Sequence, residues 1–128
     1  MSAKRLPLAM SFILLATACG PGASDGTAVL SGEVVIRANE WEFQPGSFKL
    51  EAGKKVKLVL QNTGRVEHNM MVAAGGDTLQ LDALPGRSTS ADFVPQQPGI
   101  YEVACTLPGH REAGMVGKVE VVQPLGGS

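Results

Sequence analysis

The run Cys105-Thr106-Leu107-Pro108-Gly109-His110-Arg111-Glu112-Ala113-Gly114-Met115 lies between two strand-like stretches, Gly99 to Ala104 and Val116 to Val122. It constrains the fold more than any other part of the chain. A thiol, an imidazole and a thioether share one short loop in the spacing Cys-x4-His-x4-Met. A loop joining two neighbouring strands can aim all three at one point. A soft thiolate, an imidazole and a weak thioether suit copper, and a second imidazole completes a trigonal His2Cys set. The chain has 2 histidines, and the other is His68, within Val66-Glu67-His68-Asn69-Met70-Met71. The candidate ligands are therefore His68, Cys105, His110 and Met115 around one copper ion, with no histidine left over for a second.

The rest of the chain reads as short strands. Val29 to Ala38 is rich in β-branched residues, and Trp41-Glu42-Phe43 and Phe48-Lys49-Leu50-Glu51 alternate apolar with polar side chains. Val56 to Asn62 has an inward face at Val56, Leu58 and Leu60, with His68 to Val72 as a further strand. Turn residues at Pro45-Gly46, Gly53, Asn62-Thr63-Gly64 and Pro98-Gly99 punctuate them, in keeping with 16 Gly and 8 Pro. Between Ala73 and Ser88 turn signals crowd together, and an irregular excursion with a short helix is expected. Ser90 to Val94 is a strand. A length of 128 residues allows one domain. Seven to eight short strands then make an all-β Greek-key β-sandwich over 29–123, followed by a short tail over 124–128. No Gly-rich phosphate loop and no basic cluster is present, which excludes nucleotide and nucleic-acid binding as the main business of the chain.

The N-terminus is of another character. Lys4 and Arg5 precede the apolar run Leu6 to Ala16, too short to span a bilayer comfortably. Ala16-Thr17-Ala18-Cys19 resembles the lipobox of bacterial lipoproteins, with Ala16 where leucine is usual. Residues 1–18 are thus expected to be a signal peptide and Cys19 the lipidated first residue of the mature protein, with a secretory signal cleaved nearby or an uncleaved anchor as the alternatives. Residues 19–28, which begin Cys19-Gly20-Pro21-Gly22, read as a flexible tether. The domain is expected to be exported, and lipid-anchored on the outer face of the cytoplasmic membrane or held in the periplasm. Taking Lys4 and Arg5 from the 11 basic side chains leaves nine against 12 acidic ones, about −3 in net charge. That mild acidity selects no partner.

The order Phe43-x-Pro45, the Gly53 turn, Val56 to Asn62, His68, then Cys-Thr-Leu-Pro-Gly-His-x4-Met and Gly114-Met115-Val116-Gly117-Lys118-Val119 resembles the cupredoxins, the small type 1 copper proteins, from Val29 to Val122. The ligand loop is similar to azurin and auracyanin, and its exit to plastocyanin. The resemblance implies that Asn69 and Thr106 hold the two ligand loops together, that the Asn69 backbone N–H is directed at the sulfur, and that His110 passes electrons to partners. Pro108 removes a backbone N–H and stiffens the loop. Met70 and Met71 compete with Met115 by residue type only; Met70 reads as a core filler. Leu107, Pro108, Ala113, Gly114 and Met71 form a candidate apolar docking patch around His110. Trp41 is expected in the core, and Tyr101 on a strand with its hydroxyl bonded or wet.

The function implied is a one-electron shuttle, not an enzyme, working as a monomer between a redox donor and acceptor at a membrane reached through lipidated Cys19. A copper-binding or copper-delivery lipoprotein would use the same ligands. Of the two cysteines, each has a use other than a mutual disulfide.

Overall fold

The structure, a computed structural model, describes residues 28–126. The leader, Cys19 and most of the tether lie outside the described residues. Among the described residues there are nine strands and no helical element. The strands are β1 (Glu33–Asn39), β2 (Glu42–Gln44), β3 (Ser47–Glu51), β4 (Val56–Asn62), β5 (His68–Ala74), β6 (Asp77–Ala83), β7 (Ser88–Phe93), β8 (Gly99–Ala104) and β9 (Val116–Val122). They form a four-stranded sheet, β2-β1-β4-β7, and a five-stranded sheet, β3-β9-β8-β5-β6. The β1–β4 and β3–β9 pairs are parallel and the others antiparallel.

Period-two alternation explains how the sheets meet, because successive side chains on a strand face opposite sides. Val34, Ile36 and Ala38 of β1 and Val56, Leu58 and Leu60 of β4 point inward from one sheet. Phe48, Leu50, Met70, Val72, Val119 and Val121 point inward from the other, and all are buried. Burying such side chains is the main favourable term in the fold, at about 1.5–3 kcal/mol each relative to exposure.

Two expectations need correction. The strand count is nine, because β2 is a separate three-residue strand and β6 replaces the irregular excursion expected between Ala73 and Ser88. In place of a helix, Gly75 and Gly76 adopt positive φ and turn the chain, so that β6 pairs with β5 along its whole length. Trp41 is the other correction. It is 42% exposed and lies just past β1 instead of in the core. Tyr101 is as expected, its hydroxyl donating to Gln97 O at 2.9 Å.

Pairing direction decides which strand ends share one end of the sandwich. β8 is antiparallel to both β5 and β9, so it runs toward their starts, ending with Ala104 opposite Met71 of β5 and Val116 of β9. β1 and β4 run parallel and finish side by side. The segments just beyond β1 and β4 flank the start of β5, as the contacts described below show.

Candidate metal centre

Four short segments converge at this end. His68 is the first residue of β5, Cys105 follows β8, Met115 precedes β9, and His110 sits midway along the loop between Cys105 and Met115. The loop is closed by its own backbone. Cys105 N–H donates to Met115 O at 3.1 Å, Met115 N–H to His110 O at 3.1 Å, and His110 N–H to Leu107 O at 3.1 Å. Gly109 and Gly114 have φ of 81° and 114°. Side chains rarely adopt such values, so glycine lets the loop reverse at both positions without strain.

The donor atoms cluster. One ligand atom each from His68, Cys105 and His110 lies within 4.8 Å of the others. His110 Nδ1 is 3.3 Å from Cys105 Sγ. His68 and Cys105 are fully buried, whereas His110 is partly exposed. His68 Nδ1 is buried and has no hydrogen-bond partner among the described residues. Such an orphan costs about 1–3 kcal/mol unless something accepts its lone pair. Imidazole and thiolate bonds of about 2.0–2.3 Å to a metal put donor atoms no more than about 4.6 Å apart. The donors, spread over as much as 4.8 Å, stand about 0.2 Å outside that limit and close on one ion with a small inward shift, and a thiolate with two imidazoles is a copper set.

Met115 is fully buried at the base of the loop. Met70 is likewise buried, within the hydrophobic core. Met71 is exposed, on the outward face of β5 and not at the strand end. Of the other patch residues, Pro108, Ala113 and Gly114 are exposed, and Leu107 packs partly on the core. Cys105 is a free thiol.

Asn69 and Thr106 join the segments that carry His68 and Cys105. Thr106 N–H donates to Asn69 Oδ1 at 2.7 Å, and Asn69 Nδ2 donates to Thr106 Oγ1 at 2.8 Å. The pair clasps the residue after His68 to the residue after Cys105. Asn62, buried at the end of β4, does similar work nearby. Its Nδ2 donates to Val66 O and Ala83 O, both at 2.8 Å, and its Oδ1 accepts from Gly64 N–H at 2.9 Å. This fixes the connection that delivers His68.

Two residues at the site were not foreseen as part of it. The Trp41 ring stands edge-on to His110 with centroids 4.8 Å apart, and 6.1 Å from His68. Glu40 Oε1 accepts from Arg65 N–H at 2.6 Å and Val66 N–H at 3.1 Å, and lies 3.1 Å from His68 Nε2. Those two backbone donors are the main reason its pKa is lowered to about 2, with His68 adding to the effect and partial desolvation opposing it. The available signal was positional: Asn39-Glu40-Trp41 follows the first strand, and that strand ends beside β4, whose exit leads to His68.

Residues 30–122 match the copper-binding proteins of the plastocyanin/azurin family, and the chain belongs to that family. It is 30% identical over 105 residues to the copper-resistant cuproprotein CopI of Rubrivivax gelatinosus, across 68% of this chain and 64% of that protein. It is 31% identical to auracyanin-B of Chloroflexus aurantiacus, across 79% of this chain and 57% of that protein. The match thus spans less than two thirds of either relative. Among solved structures, dithionite-reduced auracyanin from Roseiflexus castenholzii superposes with a TM-score of 0.65 at 20% identity. That superposition covers 74% of this chain and 99% of the other, a likeness of fold alone. The protein is a cupredoxin, with a His-Cys-His site compatible with a single type 1 copper ion.

Proposed function

We propose that this cupredoxin is an electron-transfer protein that holds copper through His68, Cys105, His110 and Met115. It would carry single electrons between membrane-associated or periplasmic redox partners. The observation that supports this most is the unequal exposure of the ligand side chains. His68, Cys105 and Met115 are fully buried, and only His110 reaches the surface, beside exposed Trp41. An electron can enter through one exposed ring edge, whereas a substrate would need room beside the ion. When bound, copper supplies a one-electron Cu(I)/Cu(II) couple in a His2Cys set with a weak thioether. The chain contributes rigidity: the β8–β9 hairpin and the Asn69–Thr106 clasp keep the donors in one arrangement, and burial keeps water away. Leu107, Pro108, Ala113 and Gly114 around His110 suit brief, weak encounters with partners.

A second reading, copper handling without electron traffic, is favoured by the likeness to a copper-resistant cuproprotein. The two readings differ in what the copper-loaded protein does. A carrier exchanges electrons quickly between its own oxidised and reduced forms and keeps copper in both states against a chelator. Leu107→Glu should slow that exchange and leave the visible spectrum intact. Slow exchange in the parent protein, with ready loss of Cu(I) to bathocuproine, would favour handling instead.

We further propose that residues 1–18 act as an export signal and that Cys19 is the lipid attachment point, at the outer face of the cytoplasmic membrane or in the periplasm. Incorporation of labelled palmitate in a bacterial host, abolished by Cys19→Ser, is the expected result; equal labelling of both chains would remove the anchor.

A further inference from the structure

The oxygen Glu40 Oε1 faces three nitrogens: the backbone N of Arg65 and of Val66, and His68 Nε2. An oxygen already receiving two N–H groups is an acceptor, so the hydrogen between it and the ring belongs to Nε2. An imidazole protonated there leaves its lone pair on Nδ1 when neutral. Nδ1 is the atom that is buried and without a hydrogen-bond partner among the described residues. We propose that Glu40 is a positioning residue of the metal centre, holding His68 as the Nε2–H tautomer with Nδ1 bare for the metal before any metal arrives. This rests on His68 being a ligand, as proposed above, and extends the centre to a residue 28 positions earlier, in the turn that joins β1 to β2 of the other sheet.

Gly64 provides the seat for the carboxylate. A Cβ at Gly64 would come within 3.0 Å of both Glu40 carboxyl oxygens and the carbon between them. Gly64 does not have positive φ, so alanine suits its backbone. A methyl group and the Glu40 carboxylate therefore compete for one space, and the carboxylate, at the end of a flexible side chain, is what would move. Gly64→Ala thus breaks the Glu40–His68 contact without deleting any polar group. The carboxylate's negative charge also makes the ring a better donor to the more highly charged metal, as groups behind metal-bound histidines do.

The test starts with the whole chain free of metal, its histidines labelled with 15N, using long-range proton–nitrogen correlations at pH 8. His68 should be the Nε2–H tautomer in the parent. It should show a substantial Nδ1–H fraction in Glu40→Ala and in Gly64→Ala, with amide spectra confirming that the variants are folded. Copper(II) affinity of these two variants, measured by competition, should fall about 10- to 100-fold. Glu40→Gln keeps an acceptor oxygen and loses the charge. It should retain the tautomer and weaken Cu(II) relative to Cu(I) about tenfold, a rise of ~59 mV in a one-electron potential. An Nδ1–H tautomer in the parent, or a tautomer indifferent to both Glu40→Ala and Gly64→Ala, overturns the proposal. If Glu40→Ala does not fold, Gly64→Ala alone decides. The tautomer is read without copper, so its outcome is separate from that of the copper reading itself.

Discussion

Replacing Asn69 by alanine tests whether the two ligand segments are joined before metal binds. The change removes both bonds of the clasp, Thr106 N–H to Oδ1 at 2.7 Å and Nδ2 to Thr106 Oγ1 at 2.8 Å. Asn69 is only 3% exposed, so both bonds are sheltered on its side. Thr106 is exposed, so its hydroxyl can turn to water when Asn69 is cut back. A typical bond contributes a net ~1 kcal/mol, and the two together give about 2 kcal/mol. For a domain of this size that lowers the melting temperature by about 8–10 °C. Urea or thermal unfolding should be followed on metal-free protein, since a bound ion adds stability of its own. Thr106→Ala removes only the hydroxyl partner. The Asn69→Ala/Thr106→Ala cycle should therefore return a coupling of about 1 kcal/mol, one bond's worth. Stability of Asn69→Ala within ~0.5 kcal/mol of the parent, or no coupling, would refute the clasp, because an intact contact of this kind cannot be lost at no cost.

Trp41, the only tryptophan in the chain, lies against His110 with ring centroids 4.8 Å apart. Its emission should be strongly quenched on loading Cu(II) and recover on removing copper, and unchanged emission would separate the metal from this end of the sandwich. Gly117 packs on a neighbouring backbone, where a Cβ would lie 2.5 Å from Gly46 O. The same carbonyl accepts a bond from Lys118 N–H at 3.0 Å, so neither side can yield cheaply. Gly117→Ala should cost about 1–3 kcal/mol in urea unfolding, as overpacking does, and a neutral result would show that this edge is looser than described.

The approach of Cys105 and His110 to one point was legible in the sequence because it is local. Cys105, His110 and Met115 lie on one β-hairpin connection, where spacing and geometry are nearly the same thing. His68 followed from there being one other histidine to supply. The strands of the core were legible from alternation, as at Val56, Leu58 and Leu60, because one face is dry and the other wet. The β6 strand was hidden by the turn residues on either side of it, and its first four residues are not fully buried, which weakens the alternation. Trp41 and Glu40 were hidden for another reason. An aromatic residue beside a strand resembles core, and a lone glutamate resembles solvated surface. Their roles arise only when the end of β1 is set beside the exit of β4, an arrangement made by long-range pairing. Gly64 reads as a turn residue, and only the folded chain reveals whose side chain it makes room for.

The central claim is that Cys105 is a copper-bound thiolate in this fold. It is tested most directly by visible absorption and electron paramagnetic resonance of the Cu(II)-loaded protein beside Cys105→Ser. An intense thiolate-to-copper band with narrow copper hyperfine splitting, lost in the variant, is the result expected. A pale tetragonal copper spectrum, the same in both proteins, would contradict it.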